Sequence, residues 1–228
     1  MTIANWILLG TLIVTAGLLI LSYIKKITLL KKICECIIIP LFGTLDILLL
    51  KVYLPDSLHL MKVTIIALSL VTISTIFLSF EKIRILRVFG RIFVISSILC
   101  WVTLFRTVFF IYRVPLWLIL LMSTVYLAGM IIAIILSGKQ EIVFYILFAF
   151  SFALSSYFNF CSLVFLCFDT KGSSILFFAG TTVFLTLTAF HFINQAKLKF
   201  KHAGQIRFSL LVASQILIAC SNILMIAG

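Results

Sequence analysis

The sequence predicts an all-α polytopic membrane protein of about eight transmembrane helices, and three observations predict it. Of its 228 residues, 64% are hydrophobic and only 11% charged, with a mean hydropathy of +1.34, where a soluble domain is about 25% charged. Apolar runs of about 20 residues recur along the whole chain, each long enough to cross a hydrocarbon core of about 30 Å. The runs are continuous. They lack the polar stripe of a water-facing helix and the alternating polarity of a membrane β-strand.

The elements follow in order. Trp6 to Ile24 has no charged region before it and four lysines after it, so it reads as a retained span and not as a cleaved signal peptide. Ile33 to Leu50 lies between Lys32 and Lys51, and Val63 to Phe80 between Lys62 and Glu81. Val88 to Phe105 is bounded by Arg87 and Arg106. Val114 to Leu136 opens at Pro115 and closes before Gly138. Ile142 to Phe168 is long enough to tilt. Ser173 to Ile193 follows Gly172, and Phe208 to Ala227 follows Arg207. The connections are short and polar, with Pro55 as a further breaker. The chain therefore reads as a single integral membrane domain over residues 1–228.

Charge orients these spans. The odd-numbered connections hold Lys25, Lys26, Lys31 and Lys32, then Lys82, Arg84, Arg87 and Arg91, then Lys139, then Lys197, Lys199, Lys201 and Arg207. The even ones hold Lys51 and Lys62, Arg106 and Arg113, and Lys171. Thirteen of the 18 basic residues thus mark the odd connections as cytoplasmic. Both termini are then extracytoplasmic, and the expected address is a bacterial cytoplasmic membrane. The formal charge of +12 belongs to these flanks, which argues against a nucleic-acid partner; membrane lipids are the expected partners.

No phosphate-cradling glycine loop, HExxH, GxSxG or CxxC occurs, and neither a metal nor a cofactor is expected. Cys34, Cys36, Cys100, Cys161, Cys167 and Cys220 read as small packing residues. Of the six carboxylates, Asp56, Glu81, Glu141 and Asp169 sit in connections. Glu35 lies near the cytoplasmic start of the second helix, as a partner for Lys31 or Lys32 or as a catalytic group. Asp46 lies deeper, and intramembrane acids are costly enough to be functional hypotheses by default. His191 reads as an interfacial cap or a base. Gln215, an amide in an apolar helix, needs an interhelical hydrogen bond or a ligand.

The last two helices carry Gly180-Thr-Thr-Val-Phe184-Leu-Thr-Leu-Thr188 and Ser214-Gln215-Ile216-Leu217-Ile218-Ala219-Cys220-Ser221. These resemble the YhhN-type lysoplasmalogenase family, whose members show G-A-x-x-F-x-x-S-D and A-Q-x-L-I-A-x-S there. Upstream, Glu35 to Pro40 resembles the family's K-P segment. Anchoring on Gly90 and Phe93 puts Thr75 at the aspartate of its G-D motif and Ser96 near its histidine. The resemblance covers the C-terminal 45 residues well and most of the rest loosely.

The resemblance implies an eight-helix fold and hydrolysis of the vinyl-ether bond of lysoplasmalogen, a lysophospholipid. It also implies a pocket that includes Pro40, Ser96, Gly180, Phe184 and Gln215. The family's two aspartates, however, fall on Thr75 and Thr188. A threonine hydroxyl cannot serve as a titrating acid or base near neutral pH, and losing such a group lowers a rate by about 10² to 10⁴. Helix rise puts these two threonines about 8–9 Å from the cytoplasmic helix ends, and Pro40, Ser96 and Gln215 about 12 Å deep on that side. The expected site is a polar pocket toward the cytoplasmic leaflet, with Glu35 and His191 at its rim as the substitute acid or base. The alternatives are a non-catalytic lipid-binding relative and, less closely, a small-solute or ion transporter.

Overall fold

The structure, a computed structural model, describes residues 3–53, 58–80, 83–105, 114–139, 141–168, 171–194, 200 and 202–227. Pro55, Asp56, Glu81, Asp169, Gln195 and the basic residues Lys82, Arg106, Arg113, Lys197, Lys199 and Lys201 lie outside them, as do the side chains of Asp46 and Arg84.

Among the described residues the chain is all-helical. The helices are α1 (Ile3–Ile24), α2 (Thr28–Tyr53), α3 (Leu58–Ser79), α4 (Arg84–Phe105), α5 (Leu116–Ser137), α6 (Ile142–Phe168), α7 (Gly172–Asn194) and α8 (Ala203–Ala227). Each apolar run of the sequence is one helix. Several helices begin about one turn earlier than the run they contain. Hydropathy stops where charge begins, but Lys, Arg and Leu are good helix formers and carry the coil on into the flank. Arg91, counted with a connection by charge, is in fact inside α4 and only 7% exposed.

Among the described residues five helices are long and apolar enough to cross a membrane: α1, α4, α5, α6 and α7. In α3 and α8 the apolar stretches Lys62–Leu78 and Ala203–Ile218 are shorter. The distribution of side chains is that of an integral membrane protein. Leu116, Ile135 and Ile142 are at least 70% exposed, while Asn159, Ser162, Thr181 and Ser214 are buried. In water such exposed faces would drive aggregation. In lipid they lose nothing, and helices associate through close packing and interhelical polar contacts.

Packing groups the helices into two compact units, Met1–Trp101 and Val102–Gly228. In the first, α2 packs against both α1 and α3. The Phe77 ring of α3 lies 6.4 Å from that of Phe89 and 5.5 Å from that of Phe93 on α4. The turn from α1 to α2 closes as a Schellman-type cap. Ile27 N–H donates to the Ser22 carbonyl at 3.0 Å, and Lys26 takes φ 56°. A left-handed lysine is unfavourable where glycine is not, so Lys26→Gly should stabilise the protein by up to about 1 kcal/mol. A rise in apparent melting temperature in detergent would show this.

In the second unit α7 contacts α5, α6 and α8. Its core holds Ala133, Phe148, Phe152 and Phe192. The Phe148 and Phe192 rings stack at 3.8 Å with 4° between their planes. The tight α5–α6 turn is made at Gly138, whose φ of 67° suits a residue without Cβ. The Tyr145 hydroxyl donates to the Gly138 carbonyl and fastens the turn to α6.

Candidate functional site

Glu35, Pro40, Thr75 and Ser96 belong to the first unit; Gly180, Phe184, Thr188, His191 and Gln215 belong to the second. Glu35 is 9% exposed on α2. Tyr23 of α1 donates its hydroxyl to Glu35 Oε1 at 2.6 Å, and Lys31 Nζ stands 3.7 Å from the same oxygen, one helical turn away. The Lys31 ammonium also lies 4.8 Å from the Tyr23 ring centroid, within cation–π range. Of the two lysines the sequence offered, Lys31 is thus the partner, while Lys32 lies over the Phe80 ring. Tyr23 was not singled out by sequence; its position just before the lysine cluster was the available signal.

The two threonines at the family's aspartate positions are engaged with their own helices. Thr75 Oγ1 donates to the Val71 carbonyl at 2.9 Å, and Thr188 Oγ1 to the Phe184 carbonyl at 3.0 Å. Thr188 also shares a 3.2 Å contact with Ser155 of α6. Ser96 bonds the Ile92 carbonyl at 3.0 Å, and Pro40 is exposed within α2. His191 is half-buried in the last turn of α7.

Gly180 and Phe184 are buried on α7, and Gly180 faces α8. A Cβ at residue 180 would stand 2.9 Å from both Leu217 Cβ and Ile218 Cγ1, and 3.0 Å from the Ile218 backbone nitrogen. The place a side chain would take is filled by the neighbouring helix, the usual use of glycine between membrane helices. Gln215 of α8 is 3% exposed, and its Oε1 has no hydrogen-bond partner. The sequence required an interhelical bond or a ligand here, and the carbonyl oxygen makes no bond among the described residues.

The densest polar chemistry lies at residues the sequence reading passed over. Asn159 of α6, 4% exposed, joins three helices. Its Oδ1 accepts from the Tyr126 hydroxyl of α5 at 2.7 Å. Its Nδ2 donates to Thr181 Oγ1 at 3.1 Å and to Thr182 Oγ1 at 2.9 Å on α7. Ser162 meets Thr181 at 2.6 Å. Every hydrogen-bonding function of the amide is used except one carbonyl lone pair and the geometry is good. The signal was available: Asn159 closes the run Ser155-Ser156-Tyr157-Phe158-Asn159 inside an otherwise apolar helix.

Tyr126 also lines a cavity of about 400 Å³ between α5 and α6, within the range of about 300–1,000 Å³ typical of small-molecule sites. Its walls include Met122, Leu127, Met130, Phe152 and Phe160; its polar groups are Ser123, Tyr126, Ser156 and Tyr157. Among the described residues, none of those singled out by sequence lines this cavity. Its lining begins about 10 Å from the Lys139 turn and extends to about 27 Å along the helices. It therefore spans the middle of both helices.

No protein-family model matches the chain, and neither a curated protein nor a solved structure is significantly similar to it.

Proposed function

We propose that the chain is an integral membrane protein of eight spans, with both termini extracytoplasmic, that takes up a single-chain lipid between α5 and α6. The cavity carries this reading. It is flanked by exposed apolar residues such as Leu127, at 54%, so a lipid chain can enter from the side without crossing water. Methionine and phenylalanine walls suit a flexible tail, and the hydroxyl groups suit a polar head. The resemblance to lysoplasmalogenases points to ether lipids as the class. The excess of Lys and Arg in odd connections supports the orientation and a bacterial cytoplasmic membrane. In that orientation the Lys139 turn is cytoplasmic, and the cavity crosses the bilayer midplane and reaches into the outer half.

A second reading, hydrolysis of a vinyl-ether bond, is favoured by one arrangement. Glu35 is a buried carboxylate with a phenol donor, the kind of group that could direct a water molecule. One experiment separates the two. Protein in nanodiscs is incubated with a lysoplasmalogen; bound lipid is quantified after repurification, and released fatty aldehyde is followed by mass spectrometry. Saturable lipid retention without aldehyde is the expected result. Aldehyde release that falls by about 10² or more in Glu35→Gln would replace it with the hydrolase reading. Neither retention nor release would end both.

A further inference from the structure

We propose that the turn between α1 and α2 binds the headgroup of an anionic membrane phospholipid. The site lies wholly in the first unit and does not depend on the α5–α6 cavity. Four observations lead there.

The first is charge. Four lysines fall within eight positions, at 25, 26, 31 and 32. α1 ends at Ile24 and α2 begins at Thr28, so a three-residue turn folds one pair back beside the other. Glu35 is already bonded to Tyr23 and paired with Lys31, and it offsets one lysine of the four. Lys25 and Lys26 are exposed, and neither ammonium has a partner among the described residues.

The second is that two of the lysines are held. Lys31 lies 4.8 Å from the Tyr23 ring centroid, and Lys32 lies 4.8 Å from that of Phe80 at the end of α3. Membrane orientation depends on the number of cations on one side and does not require any of them to be fixed. A fixed cation loses less freedom when it binds an anion.

The third is Lys26. At φ 56° it occupies a backbone region that disfavours lysine and suits glycine. Residues held in such regions cluster at ligand sites. Here the lysine supplies a free cation at the apex of the turn.

The fourth is the surface around the charges. Ile24 and Leu29 are each 70% exposed, and Ile27 and Ile33 are 44% and 46% exposed. Lysine stems lie along apolar surface of this kind with the ammonium at the membrane interface, the level of lipid phosphates. A phospholipid therefore gains twice, through its phosphate among the ammonium groups and through an acyl chain against Ile24 and Leu29. A soluble anion gains only the first. A choline headgroup would bring another cation into the cluster, so a lipid of net negative charge is selected.

The test titrates the full chain in detergent with phosphatidylglycerol or with phosphatidylcholine of the same acyl chains, and reads bound lipid by native mass spectrometry. Phosphatidylglycerol should bind at least about tenfold more tightly. Lys26→Gln with Lys32→Gln should remove most of that preference, about tenfold or more. The matched pair Lys51→Gln with Lys62→Gln, both exposed at the other end of α2 and α3, should leave it intact. Lys26→Gly should raise the apparent melting temperature and yet weaken phosphatidylglycerol binding about fivefold, a split that a purely structural lysine would not show. Glycerol phosphate at the same concentration as the lipid should not displace it. Equal binding of the two lipids, or an equal loss in the Lys51 and Lys62 pair, would overturn the proposal. So would displacement by glycerol phosphate, which would make the turn a site for soluble anions. Each of these outcomes leaves the reading of the α5–α6 cavity untouched.

Discussion

Gly180→Leu should detach α7 from α8 and lower the apparent melting temperature more than any other single change in the second unit. The reason is geometric. Even a methyl group at this position would stand 2.9 Å from Leu217 Cβ, an atom fixed to its backbone, and 3.0 Å from a backbone nitrogen of α8. Neither can turn aside as the tip of a flexible side chain could. The helices must separate, and overpacking of a close contact costs about 3 kcal/mol at the upper end of its range. Separation would also disturb Ser214, Gln215 and Ser221, which are buried on α8. Gly180→Ala should cost about 1 kcal/mol by the same route. Thermal unfolding in detergent, followed by size-exclusion fluorescence, checks both. A leucine variant as stable as the parent would mean that α7 and α8 do not approach in this way.

Asn159→Leu should cost about 2 kcal/mol. Interhelical hydrogen bonds in membranes contribute about 0.6 kcal/mol on average and up to about 1.7, and Asn159 makes three of them. The threonine partners lose least. Thr181 and Thr182 keep bonds to the Phe178 carbonyl at 3.0 and 2.8 Å. Tyr126 has no such substitute among the described residues, so its hydroxyl would be left without an acceptor. A double-mutant cycle isolates that bond: Asn159→Leu and Tyr126→Phe should be less destabilising together than the sum of the two alone. Strict additivity would show that the two side chains are not coupled.

The two variants differ in how visible their sites are in the sequence. Gly180 stands out beside Phe184 in a short motif, and the motif directs attention to ligand chemistry; the structure places the glycine against α8. Asn159 carries no motif, yet its amide in an apolar helix marks it by the same reasoning that marked Gln215. The partner of Glu35 was half legible. Helix spacing offered Lys31, four residues earlier, but Tyr23 comes from another helix and no periodicity names it. Thr75 and Thr188 are engaged with the carbonyls four residues before them, a habit of hydroxyl residues that sequence position alone does not reveal.

By itself the sequence determined the helices and their membrane character. Both follow from local quantities: the length of an apolar run, the charges that bound it, and the obligation of every backbone group in lipid to bond within its own helix. Ile142–Phe168 has the same limits in sequence and structure because Glu141 and Asp169 bound it. The partners of those helices were decided only by tertiary structure. In a lipid solvent almost any face can be exposed without penalty, so hydropathy does not say which face is inside. That choice falls to small contacts between residues far apart in the chain, such as Gly180 on Ile218 and Tyr126 on Asn159, and to the gap that α5 and α6 leave between them.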